Sequence, residues 1–526
     1  MKYIKSAIRW FFDTAEALLG LAFPANWNPM LNLGALGFFF YWIITASGIY
    51  VYVFFDTGVH HAYSSIEYMT NEQWYLAGIM RSLHRYASDG LIIVVMLHIA
   101  REFALDRYRG VRWFSWATGV PVMMLIFVAG ISGYWLVWDK LAQYVAIVST
   151  EWLDVLPIFG EPIARNFMST AALESRFFTL MIFMHIAVPL IALALMWMHL
   201  QRVTKPRINP PRGLAIGAFL SMLGLSLVYP ATSHAPADLS QVPGDVALDW
   251  FYLPLFPLLE YLPGPVTWAA CATLVLIMAV MPWLPPLKKA APAVVDLANC
   301  NGCARCFNDC PYNAISLVAR SDGLAFEREP VVDPQYCVSC GICAGSCPTS
   351  MPFRRVSALS PGIDMPDRTM ADIRQNVLDM SETLEGSGRI MVFGCTSAMQ
   401  IDKLKSSKFG IIKLNCIGQL PPAFVDYVLS RNLADGVVLT GCRENSCHAR
   451  YGVRWTQDRL ARVRDPQLRN RVPRERVKTL WAGCSGGKKL AATIEEFSAE
   501  LAQMGPVDMK RRAKPVPDPM LESADA

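Results

Sequence analysis

The chain has 526 residues, 53% of them hydrophobic, and a formal net charge of +5 at pH 7. Its mean hydropathy of +0.29 is too high for a wholly soluble protein. The long apolar runs all precede residue 285, whereas the second half has an ordinary charged composition. Much of the small positive charge flanks apolar runs, which gives no indication of nucleic-acid binding. We therefore expect a membrane domain followed by soluble domains.

The first part of the chain predicts one surface helix and about six transmembrane helices. Residues 1–30 are amphipathic and predict a helix on the membrane surface rather than a cleavable signal peptide. Apolar stretches long enough to cross a bilayer follow at about residues 32–55, 81–103, 114–138, 176–201, 213–229 and 266–284. We assign residues 31–287 to this membrane domain.

Lysine and arginine lie mainly on one side of these predicted helices. That side carries Lys2, Lys5, Arg9, Arg101, Arg107, Arg109, Arg112, Arg202, Lys205, Arg207, Arg212, Lys288 and Lys289. The opposite segments carry only Lys140, Arg165 and Arg176. Because basic residues are enriched on the cytoplasmic side, both ends of the membrane domain are expected in the cytoplasm. We expect the chain in the cytoplasmic membrane of a prokaryote.

Two pairs of histidines have the same spacing. His84 and His98 are 14 residues apart in one apolar segment, and His185 and His199 are 14 apart in another. On an α-helix this interval rises about 21 Å and closes nearly four turns. Each pair therefore has one imidazole near each side of a bilayer core about 30 Å thick. Ionisable residues inside membranes are rare and usually functional, so the repeat predicts two stacked bis-histidine haem sites rather than core histidines at chance spacing.

Two glycine pairs, Gly34 with Gly48 and Gly119 with Gly133, repeat that interval in the neighbouring predicted helices. Together with the segments Arg81-Ser-Leu-His84, Leu97-His98 and Gly133–Asp139, this pattern over residues 1–285 resembles cytochrome b of the quinol-oxidising bc-type complexes.

The resemblance implies a set of haem-binding residues. His84 with His185 would hold an outer b haem, and His98 with His199 an inner one. The glycines would let the haem faces approach the backbone, because they lack a Cβ. Arg81 and Arg101 would also belong to the cofactor-binding residues, and the Gly133–Asp139 segment would lie beside an outer quinone pocket.

The loop before the last predicted helix contains Asp249-Trp-Phe-Tyr252-Leu-Pro. It resembles the family's Pro-Glu-Trp-Tyr element, whose glutamate is associated with proton removal from quinol, so Asp249 and Tyr252 are the candidate catalytic residues. Here Leu248 replaces the proline and Asp249 the glutamate. Aspartate still accepts protons, with a shorter reach. The alternative interpretation is an interfacial acidic and aromatic loop.

Residues 288–296 form a linker, and a doubled cysteine motif follows in residues 297–356. The runs are Cys300-x2-Cys303-x2-Cys306-x3-Cys310-Pro and Cys337-x2-Cys340-x2-Cys343-x3-Cys347-Pro. This is the signature of bacterial two-cluster ferredoxins, in which the fourth cysteine of each run binds the other cluster. One [4Fe–4S] cluster is thus expected on Cys300, Cys303, Cys306 and Cys347. The second is expected on Cys337, Cys340, Cys343 and Cys310. A zinc site would not require two such runs.

Residues 357–388 predict a partly helical connector, and residues 389–504 alternate short buried strands with helices. The strands at about 390–393, 411–414, 436–439 and 477–481 are each followed by a cysteine. Alternation of this kind favours a parallel sheet, whose carboxyl ends meet at one edge. The cysteines Cys395, Cys416, Cys442, Cys447 and Cys484 are therefore expected together, as cluster ligands, with disulfides or core thiols as the alternative.

The segments Phe393-Gly-Cys395, Asn415-Cys416 and Asp435–His448 resemble the delta subunit of methyl-viologen-reducing hydrogenase. The resemblance implies a [2Fe–2S] cluster and electron transfer to a flavoprotein of the heterodisulfide-reductase type. Cys395, Cys416, Cys442 and Cys447 are the preferred ligands, although the choice of four among five cysteines stays open. Residues 505–526, rich in proline and charge, predict a disordered tail.

The predicted fold is multidomain: an all-α transmembrane haem bundle, a ferredoxin-like α+β two-cluster domain and a C-terminal α/β parallel-sheet iron–sulfur domain. The predicted function is a membrane electron-transfer subunit of a quinone-linked oxidoreductase in a respiratory chain. Neither a Rieske motif nor a Gly-x-Gly-x-x-Gly motif occurs, so flavin or nicotinamide chemistry must come from a partner. That partner would be the flavoprotein or another low-potential oxidoreductase, in a multi-subunit complex with one or two copies of the chain. The alternatives are a conduit without its own quinone site and reverse flow from quinol to a low-potential acceptor.

Overall fold

The computed structural model describes residues 2–507 apart from 25, 159, 168–174, 202, 204–205, 244, 285–289, 356–358, 399–400, 402–403, 405, 444–446, 483–486 and 506. The chain divides into two compact units. One comprises residues 15–287, here called the helical unit. The other comprises residues 288–526, here called the C-terminal unit, with which the first 14 residues are grouped. Most of the tail that was predicted to be disordered lies outside the described residues.

Helices account for nearly all regular structure before residue 285. They are α1 (Lys2–Ala22), α2 (Leu33–Phe54), α3 (Ala62–Asn71), α4 (Ile79–Ala104), α5 (Trp113–Val137), α6 (Lys140–Asp154), α7 (Ser175–Leu200), α8 (Arg212–Val228), α9 (Phe256–Tyr261) and α10 (Gly264–Val280). A helix lies at each of the six positions predicted to cross the membrane. The helices α3, α6 and α9 lie in segments that were predicted only as loops.

Four helical segments of the described chain are long and apolar enough to cross a membrane: Leu33–Phe54, Gly110–Val137, Phe177–Leu200 and Gly264–Trp283. The predicted second and fifth crossings differ from these four. α4 has 26 residues but carries several charged side chains, and α8 has only 17 residues. α4 can carry these charges inside a helical bundle because its arginines have carboxylate partners within the protein.

The helical unit is built around two close helix pairs, α2 with α4 and α5 with α7. Glycines at both interfaces face the histidines of α4 and α7. The pairs are joined by the Tyr41 hydroxyl of α2, which donates to the backbone oxygen of Pro189 in α7 at 2.9 Å. The Trp116 indole of α5 donates to the backbone oxygen of Met278 in α10 at 2.7 Å.

The first half of the C-terminal unit contains two small antiparallel sheets. Its elements are β1 (Val294–Val295), α11 (Arg305–Asp309), β2 (Ile315–Ala319), β3 (Arg328–Val332), α12 (Ile342–Ser346) and β4 (Ile363–Asp364). β1 pairs with β4, and β2 pairs with β3. β4 lies within residues 357–388, which were predicted as a connector, so this segment contributes a strand to the cysteine-rich part.

The second half contains a four-stranded parallel sheet. After α13 (Met370–Glu382), the elements are β5 (Ile390–Cys395), β6 (Phe409–Leu414), α14 (Ala423–Ser430), β7 (Gly436–Gly441), α15 (Gly452–Leu460), β8 (Val477–Trp481) and α16 (Gly487–Met504). The strand order is β6-β5-β7-β8, and every pair is parallel. The prediction of parallel strands is confirmed. The carboxyl ends of β5, β6 and β7 consequently lie at one edge, where Cys395, Cys416 and Cys442 follow.

One hydrophobic cluster spans both halves of the C-terminal unit. Ile342 and Ala344 of α12 are fully buried in the same cluster as Phe393 of β5 and Leu439 of β7. The cysteine-rich part and the parallel sheet are therefore packed as one body, which fixes their cysteines relative to each other.

Candidate functional site

Each of the four predicted haem-ligand histidines lies against one of the four predicted glycines. A Cβ added to Gly48 would lie 2.8 Å from Cε1 of His84, and one added to Gly34 would lie 3.5 Å from Cε1 of His98. In the second helix pair, the corresponding distances are 3.0 Å from Gly133 to His185 and 3.3 Å from Gly119 to His199. The glycines thus make room for the imidazole rings themselves, and the closer pair of contacts surrounds His84 and His185.

His84 of α4 and His185 of α7 face each other, with ring centroids 6.2 Å apart. Imidazole nitrogens bind metals at about 2.0–2.1 Å, as in zinc sites. Two such bonds and half of each ring add up to about 6 Å. The spacing therefore suits two imidazoles that bind one metal between them, and His84 and His185 would together hold a b haem.

Hydroxyl groups lie within hydrogen-bonding distance of Nδ1 in three of these histidines. Nδ1 of His84 lies 3.0 Å from the backbone oxygen of Ile44 and 3.3 Å from Oγ of Ser47. Nδ1 of His185 lies 3.1 Å from Oγ of Ser132, and Nδ1 of His199 lies 3.3 Å from Oγ1 of Thr118.

All three hydroxyls donate their own protons to helix carbonyls: Ser47 to Ile43, Ser132 to Ala129 and Thr118 to Phe114. Their lone pairs are therefore free to accept the Nδ1–H of the imidazole. This tautomer leaves Nε2 available to a metal, as in other metal-binding histidines. These three hydroxyl residues were not among the predicted site residues. In the sequence, each of them directly precedes a glycine that faces a histidine. The fourth such glycine, Gly34, is preceded by Leu33, which has no hydroxyl group.

The candidate catalytic residue Asp249 belongs to a charged cluster. One of its carboxylate oxygens accepts hydrogen bonds from Arg85 of α4 at 3.2 Å and from the Tyr134 hydroxyl of α5. The other accepts from the backbone N–H of Phe251 at 2.7 Å. Arg85 also forms an ion pair with Asp89, one turn further along α4. Two carboxylates thus share one guanidinium group.

This cluster joins parts of the chain that are far apart in sequence. Tyr134 comes from the Gly133–Asp139 segment that the resemblance placed beside the quinone pocket. Tyr252 donates from its hydroxyl to the backbone oxygen of Ser88 at 2.8 Å, and its ring covers Gly130, where a Cβ would lie 2.2 Å from the ring. Arg85 and Asp89 were missed because a charged pair four residues apart on a helix is usually a solvated surface pair.

Arg81 and Arg101 have carboxylate partners within the protein. Arg81 contacts Thr70, donates to Oγ of Ser233 at 2.7 Å and lies 3.6 Å from Glu67. Arg101 forms a buried ion pair with Glu16 at 2.9 Å. These contacts explain how α4 carries arginines in a bundle, and their predicted role in cofactor binding stays a prediction.

The doubled motif forms two separate cavities in the C-terminal unit. One is lined by Cys300, Cys303, Cys306 and Cys347. The other is lined by Cys310, Cys337, Cys340 and Cys343. Each set combines three cysteines of one run with the fourth of the other, which is the crossed pattern of two-cluster ferredoxins. We call them ferredoxin site 1 and ferredoxin site 2.

The electrostatics of both sites suit a positively charged metal group. Burial raises the pKa of Cys306 in site 1 and of Cys340 in site 2 to about 12. Burial thus disfavours the charged thiolates at these positions, and a bound iron–sulfur cluster would stabilise them, since such clusters are held by thiolates. Each site has one buried cysteine, Cys306 in site 1 and Cys343 in site 2, but site 1 also has an exposed one, Cys303, and is therefore the more accessible of the two.

Four cysteines at the carboxyl edge of the parallel sheet form a closed group, here called the cysteine ring. Cys395 is within hydrogen-bonding distance of Cys416 and Cys442, and Cys447 is within that distance of the same two. All four are buried, and none forms a disulfide with another cysteine of the described residues. Hydrogen bonds from Cys416 and Cys442 and from the backbone N–H groups of Val453 and Ala449 lower the pKa of Cys447. Cys484, the fifth candidate, lies outside the described residues.

The first turn of α15 supports this ring. A Cβ added to Gly452, the first residue of α15, would lie 2.1 Å from Sγ of Cys416 and 3.6 Å from Sγ of Cys447. The helix therefore begins directly at the sulfur atoms, where its dipole stabilises thiolates. Cys395, Cys416, Cys442 and Cys447 thus have the arrangement that a four-thiolate cluster needs.

Three segments of the chain match known protein families. Residues 18–206 match cytochrome b/b6/petB, residues 299–351 match the 4Fe-4S dicluster domain, and residues 386–505 match the methyl-viologen-reducing hydrogenase delta subunit.

Curated relatives match the first part of the chain. Cytochrome b of Rhodospirillum rubrum is 22% identical over 326 residues, which cover 55% of this chain and 79% of that protein. Cytochrome b of Dictyostelium discoideum is 26% identical over 296 residues, covering 51% and 74% respectively. Among solved structures, a chain of a hyperthermophilic respiratory Complex III aligns with a TM-score of 0.39 and 20% identity, covering 48% of this chain and 75% of that one.

Proposed function

We propose that this chain, in which a cytochrome b/b6 domain is followed by a 4Fe-4S dicluster domain and a methyl-viologen-reducing hydrogenase delta-subunit domain, is the quinone-linked subunit of a multi-subunit oxidoreductase. It is an integral membrane electron-transfer protein with haem b and iron–sulfur clusters as cofactors. In this proposal it carries electrons between a cytoplasmic flavoprotein of the heterodisulfide-reductase type, or another low-potential oxidoreductase, and the quinone pool.

The observation that carries the proposal is that one chain gathers both kinds of redox ligand. His84 and His185 lie 6.2 Å apart between two helix pairs, and twelve cysteines fall into two cavities and one ring. The proposed cofactors are two b haems, two [4Fe–4S] clusters and one [2Fe–2S] cluster in the ring. Such groups accept and release single electrons when bound, and the protein sets their positions and potentials through ligands, burial and hydrogen bonds.

Quinone chemistry is proposed at the cluster around Asp249. Quinol oxidation releases two protons as well as two electrons, so a base must lie beside the substrate. Asp249 is such a base once it exchanges the Tyr134 hydroxyl for a substrate hydroxyl. Asp89, whose carboxylate pairs with the same guanidinium group of Arg85, can then accept a proton from Asp249. Tyr252 would fix the loop in place through its bond to Ser88.

A test of this function uses the complete chain in membrane vesicles. Adding a quinol or a low-potential reductant should reduce the b haems, and a quinone-analogue inhibitor should shift their optical spectra. In a His98→Ala variant, the inner haem should be lost and quinone-linked turnover should stop while the iron content of the C-terminal unit stays unchanged. Unchanged haem content in that variant would contradict the ligand assignment.

A second candidate function is a transmembrane conduit without its own quinone site. It is favoured by the three donors, Arg85, Tyr134 and the Phe251 N–H, that already bind Asp249. If no quinone analogue shifts the haem spectra while electrons still pass from a reductant to the haems, the conduit replaces the quinone-linked function. Quinol could also drive electrons toward the cytoplasmic clusters with the membrane potential, which is worth about 2.3 kcal/mol per charge per 100 mV.

A further inference from the structure

Ferredoxin site 2 and the cysteine ring are joined by residues that directly neighbour their cysteines. Asn415, next to Cys416 of the ring, donates from Nδ2 to the backbone oxygen of Ser339, next to Cys340 of site 2, at 3.2 Å. Tyr312, two residues after Cys310, donates from its hydroxyl to the backbone oxygen of His448, next to Cys447, at 3.3 Å. Both sites therefore share hydrogen bonds that begin one or two residues from their ligands.

The backbone of α12, which carries ligands of site 2, is also in close contact with the turn that follows Cys416 of the ring. A Cβ at Gly345 of α12 would lie 2.1 Å from the backbone oxygen of Gly418, which follows Cys416 by two residues. Ile342, between Cys340 and Cys343, is fully buried against Gly418 and Gly452. The contact depends on glycine, because any larger residue would push α12 away from the turn at 417–419.

A buried ion pair crosses the same junction. The guanidinium group of Arg459 in α15 donates to Oδ2 of Asp309 at 2.6 Å and to the backbone oxygen of Gly418 at 2.9 Å. The exposed fractions of the two side chains are 0% for Arg459 and 6% for Asp309. Asp309 directly precedes Cys310 of site 2, whereas Arg459 lies within electrostatic reach of Cys416 of the ring. Nε of Arg459 is buried and has no hydrogen-bond partner among the residues that the structure describes.

A buried ion pair of this kind is weak support for stability, since desolvation offsets most of the attraction. Arg464 already binds the other oxygen of Asp309 at 3.0 Å through its Nε, and its side chain is 30% exposed. The carboxylate would thus keep a cationic partner without Arg459. A role in redox tuning accounts for the position of Arg459 better than stability does.

We propose that site 2 and the cysteine ring exchange electrons directly, and that Asp309 and Arg459 are positioning residues that bias the electron toward the ring. The inference rests on the proposed function, because it requires clusters at both sites. One electron leaves the reduced centre at one site and enters the oxidised centre at the other, without bond making or proton transfer. The flavoprotein and the quinone-linked haems of the proposed function supply and remove it.

The bias follows from the sign of the two charges. A negative charge beside Cys310 disfavours an additional electron at site 2, and a positive charge near Cys416 favours one at the ring. Removing both charges should therefore shift the two reduction potentials in opposite directions, upward at site 2 and downward at the ring. Loss of packing alone gives no reason for shifts of opposite sign. Of the two ferredoxin sites, site 2 would then face the ring. Site 1, with its exposed Cys303, would be the site at which electrons enter or leave the ferredoxin part on the other side.

The test compares Arg459→Gln, Arg459→Lys, Arg464→Gln and the double variant Asp309→Asn/Arg459→Gln in the complete chain, by EPR-monitored redox titration. Only the double variant removes both charges, so it should show the opposite shifts at site 2 and at the ring. For Arg459→Gln we expect the ring to be about tenfold harder to reduce, which corresponds to about 59 mV for one electron. Arg459→Lys keeps the charge and should stay near the unsubstituted potential. Arg464→Gln, the matched control on the same carboxylate, should change the ring potential by less than half as much. Equal ring potentials in the Gln and Lys variants overturn the tuning role.

A second measurement on the unsubstituted protein covers the case in which Arg459→Gln fails to load iron. When both centres are reduced and paramagnetic, their EPR signals should show mutual magnetic broadening that is absent when only one is reduced. Independent signals overturn direct exchange between site 2 and the ring. Failure to find clusters at these sites at all contradicts the proposed function instead, so the two failures are distinguishable.

Discussion

The histidine sites of the helical unit and the cysteine sites of the C-terminal unit show two ways of assembling metal ligands. His84 and His185 are about 100 residues apart, on different helices, and meet only because two helix pairs pack together. Each ferredoxin site takes three cysteines from one run of seven residues, so most of its geometry is local. The cysteine ring is intermediate, since its ligands come from three strand ends and one loop.

Because of this difference, the two kinds of site are sensitive to different substitutions. The histidine sites depend on the small distance between helix backbones, which is controlled by four glycines. The cysteine sites depend first on the sulfur ligands themselves, and the ring also depends on Gly452, where a Cβ would lie 2.1 Å from Sγ of Cys416. Substitutions of single residues can test each half of this comparison.

The largest expected effect is in the cysteine ring. Cys416→Ala removes a sulfur that is 2% exposed and lies next to two other ring cysteines, so the ring should lose its cluster completely. Iron and acid-labile sulfide analysis of the purified chain should show less iron, while the EPR signals of both ferredoxin clusters persist. Cys271→Ala, in α10, is the control and should leave the iron content unchanged. Retention of every iron–sulfur signal in Cys416→Ala would remove Cys416 from the ligand set.

A comparably large effect is expected from one methyl group in the helical unit. Gly48→Ala places a Cβ 2.8 Å from Cε1 of His84, so the imidazole of His84 must move and the outer haem should be lost. Optical spectra of the membranes should then show about half of the b-type haem.

Two control substitutions sharpen this prediction. Gly37→Ala in the same helix puts its Cβ at an ordinary 3.6 Å from Val94 and should keep both haems. Gly34→Ala, at 3.5 Å from His98, should affect the inner haem far less than Gly48→Ala affects the outer one. Equal haem contents in all three variants would show that the glycines do not control the sites.

An intermediate effect is expected for Asp249. General bases contribute about 10²–10⁴-fold to a reaction rate. Asp249→Asn should therefore slow quinol-dependent haem reduction by about 10²-fold or more, with haem content unchanged, and Asp249→Glu should retain most of the rate. Stopped-flow haem reduction is the measurement. A rate in Asp249→Asn equal to the unsubstituted rate would favour the conduit.

The smallest expected effect concerns the hydroxyl groups behind the histidines. Thr118→Val keeps the side-chain shape and removes the acceptor for Nδ1 of His199, 3.3 Å away. Loss of such a supporting bond costs about 10–100-fold in metal affinity. We expect the lower end, as weaker haem retention in detergent. Thr45→Val, whose hydroxyl donates to the backbone oxygen of Tyr41, is the control and should retain haem normally.

The predictability of each site from sequence follows the same division. The two ferredoxin cavities contain the cysteines expected from the doubled motif, because that geometry is encoded within short segments. The positions of the helices and the four parallel strands were also predictable from apolar patterns. The three helices α3, α6 and α9 were not, since they lie in segments expected only as loops.

What sequence reasoning missed depends on contacts between distant residues. The charged cluster of Arg85, Asp89, Tyr134 and Asp249 draws on three separate parts of the chain. The same holds for the Asp309–Arg459 pair, whose members are 150 residues apart. Charged residues give no periodic signal that identifies their partners, so only the folded structure brings these groups together.

We have proposed that one chain holds two b haems in its helical unit and three iron–sulfur clusters in its C-terminal unit. An anaerobic potentiometric titration of the complete protein, with haems followed optically and clusters by EPR, tests it most directly. The account predicts two b-type haems and three iron–sulfur clusters, each titrating as a one-electron centre. Fewer than two haems or fewer than three clusters would contradict it.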